Sequence, residues 1–172
     1  MAITRKLRIS LLLLLLAGTV GCDQTTKHVA RSTLGQIESI RLPGGWGELR
    51  LVENPGAFLS LGAALPPVLR VTLFTLGVAT GLLLLCCFLV SRAQLDWMAF
   101  TGLALVLAGG GSNLIDRIIW KGLVTDFITL RFGPFQTGVF NVADMAVLAG
   151  VGLLLLKQLK FNASKPRDEA GD

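Results

Sequence analysis

Two stretches of this chain, Val71–Ser91 and Trp97–Ile115, run 21 and 19 residues without a charged side chain, close to the ~20 residues that carry a helix across a bilayer. Only Arg92–Asp96 separates them, so they are expected to form an antiparallel helical hairpin. Near the amino terminus, Ile9–Cys22 is uncharged for 14 residues and follows the basic stretch containing Arg5, Lys6 and Arg8, a pattern shared by retained spans and cleavable signals. Val20-Gly21-Cys22 resembles the end of a lipoprotein signal, although Thr19 stands where an aliphatic residue is usual. The two unambiguous spans that follow, and the polar Asp23, Gln24 and Lys27, favour a retained first helix. Toward the other end, neither Phe132–Ala143 nor Met145–Leu156 is long enough alone, and a span forms only with Asp144 inside it. A carboxyl within a helical span costs about 2.5–3.5 kcal/mol at the centre and less toward the interface, and such residues usually mark function; an interfacial aspartate capping a helix that starts near Val139 is the competing account.

Between the first two spans the pattern changes period. Ile37–Leu42 and Gly47–Val52 alternate apolar and polar residues around the turn tripeptide Pro43-Gly44-Gly45, which predicts a small β element. Ala57–Leu65 is apolar but too short to span, is broken by Pro66-Pro67, and suits the interface. The expectation is therefore an all-α integral membrane protein of a single domain, 1–172. Its four transmembrane helices fall at about 7–26, 69–91, 97–115 and 138–158. A small β element and a short interfacial segment lie on the outer side. The outer loops are 27–68 and 116–137, and the cytoplasmic tail is 159–172.

Composition supports this picture, at 52% hydrophobic and 16% charged, too apolar for a soluble domain of this size. The net charge of +5 comes from scattered basic residues without a stripe or aromatic platform, so no nucleic acid partner is expected. Eight Lys and Arg fall in the termini and the 92–96 turn and eight in the two longer loops. The first set is denser around span ends, which favours cytoplasmic termini. One histidine, His28, and three cysteines without a Cys-x-x-Cys pattern offer no zinc site, and neither a metal nor a cofactor is expected. Cys86 and Cys87 sit within an apolar run, and Cys22 has no evident partner.

On this topology the uncommon polar residues gather on one side: Asp23, Lys27, Asn54, Asn113, Asp116, Arg117, Asp126, Asn141 and Asp144. Such convergence at the outer boundary argues for a site there. Asn113 and Arg117 share a helix face, as do Asn141 and Asp144, so Asn141 can orient the carboxyl. Asp23 and Lys27, four apart, suit a helix-surface ion pair as well as a functional pair. Asp116 points away from Asn113 and suits holding a loop, Asn54-Pro55-Gly56 reads as a turn, and Arg117 alone would suit an interfacial arginine reaching headgroups. Gly109–Gly111 lacks phosphate-loop spacing and fits close helix–helix or helix–substrate approach.

Asp23-Gln24-Thr25-Thr26-Lys27, Asn54-Pro55-Gly56-Ala57-Phe58, Gly110-Gly111-Ser112-Asn113-Leu114-Ile115-Asp116-Arg117, Val124-Thr125-Asp126-Phe127 and Phe140-Asn141-Val142-Ala143-Asp144 resemble, in order and spacing, the signature blocks of the signal peptidase II family of aspartyl peptidases. The resemblance implies that Asp126 and Asp144 are a catalytic pair and that Asn54 lines the substrate groove. Gly56, Asn113, Arg117, Asn141, Asp23, Lys27 and Asp116 would support or bind substrate. It further implies a monomeric enzyme of the bacterial inner membrane, among membrane lipids. Near the periplasmic face it would remove the signal peptide from diacylglyceryl-modified prolipoproteins just before the lipidated cysteine. Two other classes remain: a small transporter using Asp144, which would not require Asp126, and a serine–lysine peptidase using Ser112 and Lys121.

Overall fold

The computed structural model describes residues 5–163 apart from 58, 60 and 92–94. Phe58, Arg92 and the tail beyond residue 163, all part of the sequence expectations, lie outside the described residues. Helix α1 spans Arg5–Leu34, followed by strands β1 (Ile40–Arg41) and β2 (Gly47–Asn54). Helix α2, Pro67–Ser91, contains a six-residue π-helical stretch, Thr72–Gly77. Helix α3 is Trp97–Ile119, strands β3 and β4 are Val124–Phe132 and Phe135–Gln136, and helix α4 is Val142–Ala163. These four helices are long and apolar enough to cross a membrane.

Helix α3 is the central helix and packs against α1, α2 and α4. Its apolar core with α1 and α2 includes Leu12, Leu89, Phe100, Ala104 and Leu107. Leu13, Leu14, Leu83, Leu84, Leu148 and Leu155 point outward and are exposed, the arrangement a lipid solvent favours. Helices α3 and α4 touch through glycine: a Cβ on Gly150 would lie 2.5 Å from the Gly102 carbonyl oxygen, and one on Gly109 would lie 2.4 Å from that of Ala143. Backbones approach this closely only where side chains are missing. The expected close approach of the glycine run thus falls on Gly109, while Gly110 faces the flexible Leu82 side chain and Gly111 faces open space. At the opposite end of the bundle, Asp96 caps α3 by accepting from Ala99 N at 3.0 Å and pairs with Lys157, while Arg8 donates to the Leu95 carbonyl and lies over the Phe100 ring.

One end of the bundle holds an antiparallel sheet of order β1-β2-β3-β4. The expected hairpin exists, with Ile40 opposite Leu49 and a tight turn at Pro43–Gly45. The sheet is larger than foreseen because the segment between α3 and α4 supplies β3, which pairs along β2 from Gly47↔Leu130 to Asn54↔Val124 with a bulge between Leu49 and Val52.

Helix ends depart from the expected spans in an instructive way. Helix α1 runs past residue 26 to Leu34 because Asp23, Lys27, Ala30 and Leu34, spaced at helical period, are all buried. Its last turns pack against the sheet, where Ala30 and Leu34 meet Phe127. Helix α3 likewise continues beyond residue 115 to Ile119. The last helix begins at Val142 instead of 138, which leaves Asp144 in its first turn.

Candidate active site

The route from β3 to α4 brings two carboxylates together. Phe140 and Ile128 exchange backbone hydrogen bonds at 2.9 Å in each direction, which returns the chain against β3 just before the helix starts. Asn141 then caps α4: its Oδ1 accepts from Asp144 N at 2.9 Å, and Asp144 Oδ2 accepts from Asn141 N at 3.2 Å. This reciprocal capping box satisfies two orphan donors of the first turn. A third, Ala143 N, donates to Asp23 Oδ1 at 2.8 Å.

The same Asn141 reaches the other carboxylate, its Nδ2 donating to Asp126 Oδ1 at 2.7 Å. Asp126 Oδ2 accepts from Asn54 Nδ2 at 2.8 Å, and Asp144 Oδ1 accepts from Asn113 Nδ2 at 2.8 Å. Both carboxyls are buried, with 1% and 7% of their surface exposed. Burial is the main cause that pushes the Asp126 carboxyl up to about 7, with the nearby Asp144 adding to it, against the lowering effect of Asn54 and Asn141. A group poised there can hold or release a proton near neutral pH.

Behind the pair lies a buried ionic cluster. Lys27 is wholly enclosed, and its Nζ meets Asp23 Oδ2 at 2.7 Å, Asp116 Oδ2 at 3.1 Å and Asn113 Oδ1 at 2.9 Å, an acceptor for each of its three protons. This corrects the surface-pair account of Asp23 and Lys27: neither side chain touches solvent. Asp116 Oδ2 accepts from Thr125 N at 3.0 Å, near the start of β3 and one residue before Asp126.

Arg117 ties the loop after β2 to α3, donating from Nη2 to the Gly56 carbonyl at 2.9 Å and from Nη1 to the Asn113 carbonyl at 3.3 Å. It is therefore a buried tie and not a headgroup-seeking arginine. Asn54 forms the expected turn, its Oδ1 accepting from Gly56 N at 2.8 Å. Hydrogen bonds and ion pairs thus bring Asp23, Lys27, Asn54, Gly56, Asn113, Asp116, Arg117, Asp126, Asn141 and Asp144 into one connected network.

Sequence reasoning missed several members of that network. Gln24 Nε2 donates to Asp116 Oδ1 at 3.0 Å, and Arg31, stacked over the Trp120 ring, donates to Thr125 Oγ1. The available signal was helical period, since Arg31 continues the Asp23, Lys27 spacing by four. Ser112, considered above as a nucleophile, donates to Asp23 Oδ2 at 2.7 Å and is fully buried, whereas Lys121 is exposed beyond the end of α3. Ser112 and Lys121 therefore do not form the nucleophile–base pair that the serine–lysine alternative requires.

Residues 13–160 match the family model described as Signal peptidase (SPase) II. Relatives named lipoprotein signal peptidase include one from Syntrophus aciditrophicus, 35% identical over 158 residues, which cover 90% of this chain and 96% of the relative. Another from Azoarcus sp. is 34% identical over 163 residues, covering 92% and 87% of the two chains, and one from Paraburkholderia phymatum is 37% identical over 138 residues, covering 80% and 81%. A solved bacterial membrane enzyme, determined by the in meso method at 2.3 Å resolution, superposes with a TM-score of 0.78 at 27% identity, covering 95% of this chain and 96% of the other. With its blocks of polar residues drawn into one network and a family model spanning nearly its whole length, this chain belongs to the signal peptidase II family.

Proposed function

We propose that Asp126 and Asp144 are the catalytic pair of a membrane-embedded aspartyl endopeptidase. The observation that carries this assignment is Asn141, which holds one oxygen of each buried carboxyl, at 2.7 Å and 3.2 Å. Two buried carboxyls held by one asparagine share a single proton, because ionising both in a poorly solvated site is costly. The ionised partner takes a proton from a water molecule, whose oxygen attacks the scissile carbonyl. The protonated partner donates to the developing oxyanion. Collapse of the tetrahedral species passes a proton to the leaving amine, so no covalent intermediate forms.

The substrate is a prolipoprotein carrying diacylglycerol on a cysteine, cut just before that cysteine. Acyl chains held in the bilayer would keep the scissile bond near the interface and supply much of its positioning. Asp126 lies outside the helices, Asp144 in the first turn of α4 and Asn113 toward the end of α3, which supports a site at one membrane boundary. Arg5, Arg8, Lys157 and Lys160 belong to the opposite ends of α1 and α4, which supports cytoplasmic termini and a site on the periplasmic face of the inner membrane. The enzyme works as a monomer among membrane lipids and requires no cofactor.

Processing of a lipid-modified prolipoprotein by reconstituted enzyme tests the assignment. Asp126→Asn and Asp144→Asn should each preserve helical content and lower turnover on the order of 10²–10⁴-fold. Substantial cleavage by either folded variant would overturn it.

A further inference from the structure

The outer ends of α2 and α3 enclose a polar cavity that peptide cleavage leaves unused. It measures about 90 Å³ and is lined by Pro55, Pro67, Arg70, Val71, Lys121 and Gly122, with Leu123 behind them. At roughly 30 Å³ per water, it has the room of about three waters, which suits a phosphate group. No carboxylate lines it. Lys27, Arg31 and Arg131 each pair with a carboxylate, whereas neither Arg70 nor Lys121 does so among the described residues.

Both cations are placed by the backbone. Arg70 Nη1 donates to the Ala63 carbonyl at 3.0 Å, which fixes the half-buried guanidinium. Helix α3 ends in a Schellman motif, with Gly122 N donating to the Arg117 carbonyl at 2.7 Å. That places Lys121 at the left-handed position, φ 53°, where glycine is the usual occupant. The helix dipole would favour a cation anywhere in the last turn. This conformation puts the lysine at the cavity.

Val71 lines the cavity, and Val68 on α2 and Ile118 and Ile119 in the last turn of α3, close in sequence to the lining residues, are also exposed apolar side chains. A free anion has no use for them, but the acyl chains of a phospholipid would cover them. We propose that Arg70 and Lys121 form a binding notch for the phosphate of an anionic phospholipid in the outer leaflet, beside the loop that supplies Asn54. Pro55 lines the notch one residue after Asn54, so an occupant braces the turn that holds Asp126. The inference rests on the membrane placement proposed above and not on the catalytic assignment.

Trp120, next to Lys121 and 43% exposed, provides the readout. The full-length chain with Trp46→Phe and Trp97→Phe keeps Trp120 as its single tryptophan, because the sequence has three. It is reconstituted in phosphatidylcholine vesicles containing equal small fractions of brominated phosphatidylglycerol or brominated phosphatidylcholine. Phosphatidylglycerol should quench Trp120 as though locally enriched on the order of tenfold. Arg70→Gln with Lys121→Gln should abolish the preference, and Arg70→Lys should keep most of it. Equal quenching by the two lipids, or a preference that survives the double substitution, overturns the proposal. Inorganic phosphate at constant ionic strength should leave the preference intact; its disappearance would mean that a free anion fills the notch and would overturn the lipid assignment. Should the double variant fail to reconstitute, Lys121→Gln alone decides, and an unchanged quenching ratio sinks the idea. Asp126→Asn in the same background should retain the preference, so the notch and the peptidase assignment fail on separate readouts.

Discussion

Lys27 Nζ donates to Asn113 Oδ1 at 2.9 Å, and Asn113 Nδ2 in turn donates to Asp144 at 2.8 Å. An amide whose oxygen is held by an ammonium group must turn its N–H₂ the other way, so a residue on α1 fixes which end of Asn113 faces the Asp144 carboxyl. The charge of Lys27 also lowers the proton affinity of Asp126. Lys27→Met should cost about 3–5 kcal/mol of stability, because it leaves buried Asp23 and Asp116 without their cation. In the fraction that remains folded, the alkaline limb of the pH–rate profile should move upward. A loss of yield with an unmoved profile would make Lys27 a scaffold residue only.

The pH dependence follows from the raised proton affinity of Asp126, at about 7. Rising through that value, pH should remove the proton that the proposed pair shares, and kcat/KM should fall with an apparent pKa that belongs to the pair. Stability has the same sign: the native carboxyl binds its proton more tightly than the unfolded one, near ~3.9. The corresponding stabilisation is present below about pH 4 and is lost as pH rises through about 7. Thermal midpoints in detergent should decline across that window in the parent and decline less in Asp126→Asn.

Asn141 combines two duties that substitution can separate. Serine keeps an oxygen for the first turn of α4 but has no N–H₂ for Asp126, whereas alanine loses both. Asn141→Ser should stay within about 1 kcal/mol of the parent in stability, Asn141→Ala should lose about 1 kcal/mol more, and both should lose most turnover. Equal activity in the serine variant and the parent would remove the amide from the mechanism.

Neighbouring glycines should respond in opposite ways. Gly109→Ala drives a methyl against the Ala143 carbonyl, 2.4 Å away, and must push α4 from α3, separating Asn113 from Asp144. Gly111→Ala meets nothing within 4 Å and should be neutral or slightly stabilising through helix propensity. Turnover and thermal midpoint, measured together on both variants, check this contrast.

Local signals made much of this arrangement legible from residues alone. Charge-free length marked the helices, alternation around Pro43-Gly44-Gly45 marked the hairpin, and the spacing of Asn141 to Asp144 anticipated a hydrogen bond within one turn. Partnerships across long sequence separations were harder. Lys27 looked like a surface cation because its second carboxylate, Asp116, lies far along the chain, and only tertiary packing encloses the cluster. Strand β3 falls within the stretch 116–137 expected as a loop between spans, although Val124, Thr125, Ile128 and Thr129 are good strand formers. Conversely, the length of α1 was hidden by its charges, which a hydropathy pattern treats as an end and the fold neutralises internally.

The pairing of Val52 with Asp126 and Asn54 with Val124 turns chain length into a functional quantity. A strand shifted by a single residue presents its opposite face, so inserting or deleting one residue between the bulge and Asn54 would turn that amide away from its carboxylate without changing any side chain. Spacing there behaves like a reading frame: the number of residues is as much a determinant of catalysis as their identity.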